Sequence, residues 1–225
     1  MGQGVSEVLP FAVGVAIVPI PIIAVILMLF SRRARVNGPL FLLGWAAGLT
    51  VAFGAVYALS DAGDVATDST ASDSVSWGTL VLGVLLLLMA VRSWQKRPAP
   101  GVTPPLPKWM AGMDAIAPGK ALGLGVGLSA ANPKNLILVI GAATGLAQLG
   151  LSTGDAIVGL IVFVVIGSLS VAGPVAYYFA GGETAARTLD ELKGWLATNN
   201  ATVMAVLFLV FGAVLVSNGL APLTD

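Results

Sequence analysis

Apolar residues along this chain form long, nearly uninterrupted runs instead of the alternating or one-faced patterns of soluble strands and helices. Each run predicts a transmembrane helix, because about 20 mainly apolar residues are enough to cross the hydrocarbon core of a bilayer. Six such runs cover approximately residues 8–30, 39–59, 77–91, 121–149, 157–180 and 201–216. The pattern predicts an all-α integral membrane protein with six membrane-spanning helices.

Two prolines, Pro19 and Pro21, interrupt the first run near its middle. A proline removes a backbone donor and clashes with the preceding turn, so this helix is predicted to kink or unwind there. Irregular backbone at membrane depth is tolerated only where protein or a cavity surrounds it. The second run carries Gly44 and Gly48 four residues apart, which predicts a close helix crossing.

The fourth run contains the most unusual residues of the chain: Asn132, Pro133, Lys134 and Asn135. A charge at membrane depth costs roughly 2.5–3.5 kcal/mol on insertion scales, so Lys134 is interpreted as part of a site. The alternative is that Lys134 reaches from a helix end to the lipid headgroups. This run is longer than a bilayer requires, so a helix broken near Asn132–Pro133 is predicted, and Gly173–Pro174 predicts another break in the fifth run.

A proline-rich linker divides the chain into two halves. The predicted units are a first three-helix repeat over residues 1–97, a cytoplasmic linker with an interfacial helix over residues 98–120, and a second repeat over residues 121–225. Shifting the sequence by 112 positions lays Pro21 on Pro133, as expected for two inverted repeats whose broken helices, 1 and 4, meet at a substrate site. Chance similarity of apolar strings is the alternative explanation.

Three polar segments complete the sequence prediction. Short interfacial amphipathic helices are predicted at 108–117 and 183–196, where apolar residues recur at helical spacing. The aspartate-rich segment Asp61–Ser76 predicts an exposed loop.

The positive charges predict the orientation. Placing the turn with Arg32, Arg33 and Arg35 in the cytoplasm puts every lysine and arginine except Lys134 on that side, with both termini outside.

Composition excludes several function classes. Hydrophobic residues make up 57% of the 225 residues and charged residues 10%, and the mean hydropathy is +0.94. The chain has no cysteine or histidine, and its carboxylates are scattered, so no catalytic residue, metal or cofactor is predicted and the chain is not expected to be an enzyme. A formal net charge of zero excludes a nucleic-acid footprint.

The proline pair with its following basic turn, the Gly44–Leu49 pattern and the Asn132–Leu136 motif resemble the GAP family of peptidoglycolipid or sulfolipid addressing proteins, a branch of the LysE exporter superfamily. The resemblance covers nearly the whole chain. It implies a six-helix transporter fold in the bacterial cytoplasmic membrane and a role in moving glycolipids or their precursors toward the cell envelope. LysE relatives instead export small amino acids or ions.

Two hypotheses follow. In the first, the protein is an exporter or flippase for a lipid or lipid-linked sugar with a phosphate or sulfate, which Lys134 would pair while Asn132 and Asn135 donate hydrogen bonds. Backbone groups freed at Pro19, Pro21 and Pro133 would complete this substrate site, and Arg32, Arg33 and Arg35 would make weaker headgroup contacts at the cytoplasmic surface. In the second, the protein is a membrane scaffold for envelope-lipid enzymes. An amino-acid substrate, homo-oligomerisation, transport direction and energy coupling stay open.

Overall fold

A computed structural model describes residues 2–66, 70–99, 102, 110 and 112–224, with the side chains of 61–66, 70–76, 114 and 221–224 outside the description. The described chain is all-helical. A 3₁₀ turn, Met113–Ala115, and a π-helical turn, Gly127–Ala131, accompany seven α-helices. The α-helices are α1 (Gly2–Ile17), α2 (Pro19–Leu29), α3 (Ala34–Ala66), α4 (Thr70–Gln95), α5 (Pro118–Val126), α6 (Pro133–Gln148) and α7 (Thr153–Thr224).

The predicted break in the first run is confirmed, and it lies at Val18. Val18 is extended, with φ −60° and ψ 118°, and the axes of α1 and α2 differ by 50°. A residue that precedes a proline is pushed out of the helical region, so Pro19 ends α1 and begins α2 at the favoured N-terminal position. The first helix begins at Gly2, earlier than the apolar run, so Glu7 lies inside it.

The predicted break at Asn132–Pro133 is also confirmed. Asn132 is extended, with φ −73° and ψ 117°, and the helical segments on either side are bent by 58°. The Asn132 side-chain oxygen accepts a hydrogen bond from the Lys134 backbone nitrogen at 3.2 Å, which caps α6. Asn135 is fully buried and donates to the Leu128 carbonyl oxygen in the π-helical turn at 2.9 Å. These two amides stabilise the irregular backbone around the break.

The predicted break at Gly173–Pro174 is wrong, because α7 continues through both residues. Within α7 the non-helical residue is Gly182, with φ 55° and ψ −136°. Pro174 lacks only its own backbone donor and keeps helical φ and ψ, whereas a positive φ favours a residue without a Cβ. Gly182 therefore divides α7 into a first arm, residues 153–181, and a second arm, residues 183–224.

The two arms of α7 fold back on one another. Gly167 of the first arm lies against Val15, and Phe211 of the second arm lies against Gly14, one residue away on α1. A straight helix would separate residues 167 and 211 by about 66 Å at 1.5 Å per residue. The chain therefore reverses between them, and both arms flank α1.

Glycines set the closest helix contacts. A Cβ on Gly44 would meet the Leu122 carbonyl group, and one on Gly48 would lie 3.0 Å from the Val126 carbonyl oxygen. The predicted close crossing at Gly44 and Gly48 is thus confirmed as a backbone approach between α3 and the α5 region. Nearby, the buried Trp45 indole donates to the Gly167 carbonyl oxygen at 3.2 Å, which links α3 to the first arm of α7.

The helical elements match a membrane protein. In the described chain, three helices are individually long and apolar enough to cross a bilayer, and the count reaches five when each bent pair is taken as one span. This count is lower than the six predicted spans, and it treats α7 as one helix. Large apolar side chains on α3 face outward, as lipid contact requires, with Val51 68% exposed and Leu59 75% exposed.

Two predicted polar elements differ from expectation. The predicted loop at Asp61–Ser76 is helical through Ala66 and again from Thr70, while residues 67–69 lie outside the described chain. The helix predicted at 183–196 is continuous with the last apolar run as the start of the second arm, and its Ala185, Leu189 and Leu196 are buried. Of the helix predicted at 108–117, the structure describes the 3₁₀ turn from Met113; residues 108, 109 and 111 fall outside the description.

Candidate functional site

Lys134 lies in the first turn of α6, directly after the Asn132 break, and its side chain enters a cavity of about 190 Å³. Its Nζ is 5.9 Å from the centre of the Phe208 ring on the second arm of α7. The cavity is formed by the end of α4, the start of α6 and the second arm. Its lining residues are Ser93, Lys96, Pro98, Lys134, Ala197, Thr198, Asn200, Ala201 and Met204.

The charges of this cavity are all positive. Lys96 and Lys134 both line it, and none of its lining residues is acidic. Within the described part of the chain, neither ammonium group has a carboxylate at ion-pair distance, because the described ion pairs join Arg187 to Glu191 and Lys193 to Asp190. Two uncompensated cations in one cavity attract an anion and repel a cation.

Neutral polar groups add hydrogen-bonding capacity beside the lysines. Ser93, Thr198 and Asn200 line the same cavity. The Thr198 hydroxyl also donates to the Gly194 carbonyl oxygen at 3.1 Å, and the Asn200 Oδ1 atom is buried without a hydrogen-bond partner among the described residues. A phosphate or sulfate suits the donors among these groups, because its oxygens accept hydrogen bonds from the two ammonium groups, the Ser93 hydroxyl and the Asn200 amide nitrogen, whereas the Thr198 hydrogen is already donated to Gly194.

The other predicted site residues occupy different places. Asn132 and Asn135 hold the break, and Pro133 begins α6 beside Lys134, but none of the three lines the cavity. Pro19 and Pro21 are buried in the first turn of α2. The predicted headgroup contacts are Arg32, Arg33 and Arg35. All three are exposed in or beside the turn between α2 and α3, and none lines the Lys134 cavity.

The two helix breaks nevertheless lie at a similar level along the second arm. Gly14 is in contact range of both Leu138 and Phe211. Val18 follows Gly14 by one turn of α1, and Lys134 precedes Leu138 by one turn of α6 and faces Phe208. The breaks at Val18 and Asn132 therefore both lie about one helical turn from the place where Gly14 and Leu138 meet Phe211.

Sequence reasoning did not identify Lys96, Ser93, Thr198 and Asn200 as parts of this site. Lys96 belongs to a basic cluster that closes the third apolar run, which is typical of an interfacial charge. Asn200 directly precedes the last run and belongs to no motif. Only the contact of α4 with the second arm of α7 brings these residues to Lys134.

A larger open cavity, of about 590 Å³, lies beside the start of α5. Its described lining residues are Gly112, Met113, Ala115, Ile116, Ala117, Lys120, Gly123 and Leu124. The buried Asn37 side chain fixes this region by donating to the Ile116 carbonyl oxygen at 3.1 Å. With one cation and exposed surroundings, it is a weaker anion site than the Lys134 cavity.

The family comparison covers nearly the whole chain. The family model described as Sap, sulfolipid-1-addressing protein, matches residues 8–221, which include both helix breaks and every residue of the Lys134 cavity. Neither the curated proteins nor the solved structures contain a match to this chain. Because the match covers far more than half of the sequence, the chain belongs to the sulfolipid-1-addressing protein (Sap) family.

Proposed function

We propose that this protein translocates an anionic lipid, with a sulfate- or phosphate-bearing headgroup, across the membrane toward the cell envelope. The observation that carries the proposal is the cavity between α4, α6 and α7, where Lys96 and Lys134 lack an acidic partner among the described residues. The headgroup anion binds between the two ammonium groups, and the Ser93 hydroxyl and the Asn200 amide nitrogen donate to its remaining oxygens.

The same helix pair also offers a place for the lipid tail. A cleft of about 310 Å³ between α4 and the second arm is lined by apolar residues, namely Ala90, Val91, Trp94, Ala205, Val206 and Leu209. Val91 and Val206 are both about half exposed, at 55% and 51%, as lipid-facing side chains are. A lipid can therefore leave its tail in the bilayer while its headgroup enters the protein.

The proposed membrane arrangement has six spans. The bent pairs α1–α2 and α5–α6 count as one span each, α3 and α4 as one each, and the arms of α7 as two. Both termini lie outside the cytoplasmic membrane, as the distribution of lysine and arginine predicts. The two broken spans form the equivalent members of an inverted repeat, and movement at Val18 and Asn132 alternately exposes the Lys134 cavity.

The alternatives fit the cavity less well. A small amino acid carries an ammonium group that needs a carboxylate or several carbonyl acceptors, and the cavity lining contains no acidic residue. A scaffold has no need of a half-buried Lys134 beside a second cation, where partial desolvation makes the Lys134 charge unfavourable.

A pair of lipids that differ by one sulfate group tests the headgroup assignment. Purified protein in nanodiscs is expected to gain thermal stability with 3-sulfogalactosylceramide and not with galactosylceramide. Lys134→Met should weaken sulfated-lipid binding roughly 10-fold or more, because a hydrogen bond to a charged group contributes about 1.5–3 kcal/mol.

Lys120→Met is the matched control, since this exposed lysine lies outside the cavity. It should bind the sulfated lipid like the wild type. Equal binding of the two lipids, or unchanged binding by Lys134→Met, contradicts the proposal. Translocation itself is measured in vesicles by the time-dependent exposure of the sulfated lipid on the opposite leaflet.

A further inference from the structure

The Glu7 side chain packs against α6, at the end of that helix remote from Lys134. It lies in the second turn of α1 and is half-buried. Its side chain crosses over Gly145: a Cβ added to that glycine would lie 3.0 Å from the Glu7 Cδ and 3.3 Å from its Cγ. The carboxylate therefore uses the space that a larger residue at position 145 would fill.

The contact at Glu7 is one end of a continuous seam between α1 and α6. Phe11 lies over Gly141, with its Cε1 2.7 Å from the position of an added Cβ, and Leu138 lies against Gly14. Continuing along α6, the next turn carries Lys134. The carboxylate and the ammonium group thus mark opposite ends of one helix contact, about 16 Å apart for 11 residues of helix.

Glu7 lacks a charged partner in the described structure. On α6, Lys134 is the only ionisable residue. On the first arm of α7 the ionisable groups are Tyr177 and Tyr178, far along the arm, and Asp155, which is partly exposed and accepts a hydrogen bond from Ser152. The second arm has no ionisable residue from 201 to 224.

The ligand that suits this environment is a proton. A divalent metal ion needs several oxygen ligands, and no group of three acidic, histidine or cysteine side chains exists among the described residues. At a half-buried position an ionised carboxylate loses part of its hydration and gains no cation in return, which is unfavourable. The protonated acid is neutral and avoids this cost. Proton binding therefore favours packing of the Glu7 side chain against α6.

We propose that Glu7 is a proton-binding site that controls opening of the α1–α6 seam at the end remote from Lys134. With Glu7 ionised, the seam opens at that end; with Glu7 protonated, it closes. This proposal rests on the proposed transport function, in which the Glu7 end faces outside. The hinges at Val18 and Asn132 border the other end of the seam, so α1 and α6 can separate at one end independently of the other.

Spin labels at Gln3→Cys and Gln148→Cys report this opening. Both side chains are exposed near the Glu7 end, and the chain has no native cysteine. The interspin distance in nanodiscs is expected to increase as pH rises, along a single titration curve. Glu7→Gln should keep the short, low-pH distance at every pH, and Lys134→Met should titrate like the wild type.

Two glycine-to-alanine variants test the proposal even if Glu7→Gln fails to fold. Gly145→Ala should displace the carboxylate and keep the long distance at every pH. Gly154→Ala is the control, because an added Cβ there would have one neighbour, the Ser152 Oγ, at 3.9 Å. A pH-independent wild-type distance, or a Glu7→Gln protein that titrates normally, overturns the proposal. Neither result affects sulfated-lipid binding at Lys134, so failure of the two proposals is distinguishable.

Discussion

The Lys134 ammonium nitrogen lies 5.9 Å from the centre of the Phe208 ring, so the aromatic face helps to hold the cation inside the cavity. Phe208 is 1% exposed and belongs to the second arm of α7, whereas Lys134 begins α6. This contact joins α6 to the second arm of α7.

Phe208→Leu is expected to weaken sulfated-lipid binding about 2- to 5-fold, because a cation–π contact contributes about 0.5–1 kcal/mol at partly exposed sites. Titration of the sulfated lipid against the purified variant measures this effect. Phe163→Leu is the control. It removes a buried ring whose centre lies 4.9 Å from the centre of the Phe53 ring, and it does not line the cavity. Equal losses of binding in the two variants would indicate general loss of packing.

Asn135→Ala is expected to destabilise the fold by about 1–3 kcal/mol, because it leaves the partly buried Leu128 carbonyl oxygen without its donor. Thermal unfolding in detergent measures the change. Asn132→Ala should cost about 0.5–2 kcal/mol through loss of the cap on α6, and Asn132→Ser should restore most of that stability. An unchanged unfolding temperature for Asn135→Ala would show that its hydrogen bond does not stabilise the break.

Gly182→Ala is expected to destabilise the protein by about 1–3 kcal/mol, because its backbone conformation is essentially restricted to glycine. Gly173→Ala should be neutral or stabilising, since Gly173 is helical and an added Cβ meets nothing within 4 Å. Comparison of the two unfolding temperatures tests where α7 turns. A larger loss at Gly173 would favour a bend at Gly173–Pro174.

Cysteine labelling tests the proposed orientation. In intact cells an impermeant maleimide is expected to label Gln3→Cys and Gln148→Cys, and to label Arg187→Cys only after the membrane is opened. All three native side chains are exposed, so differences in labelling report the side of the membrane and not burial. Labelling of Arg187→Cys alone in intact cells would invert the topology.

Features governed by local covalent geometry were determined by the sequence itself. Pro19 and Pro133 push the preceding residue, Val18 or Asn132, out of the helical region, so both breaks were predictable to within one residue, although α7 continues through Pro174. The apolar runs specify helices in lipid because every backbone group must be hydrogen-bonded within its own segment. Gly44 and Gly48 share a helix face at any tertiary arrangement, and their spacing alone predicts a close crossing.

Features that depend on which segments meet were decided only by the tertiary structure. Nothing local distinguishes Gly182 from Gly173 as the turn in α7, because both the chain reversal and the room for it depend on how the two arms pack against α1. Lys96 and Asn200 join Lys134 because α4 packs against the second arm, more than 100 residues away in sequence. The apolar run predicts a first span that begins after Glu7, but α1 begins at Gly2. Gly145, the glycine against which this carboxylate packs, is 138 positions further along the chain. Their contact therefore depends on three-dimensional packing and not on local sequence pattern.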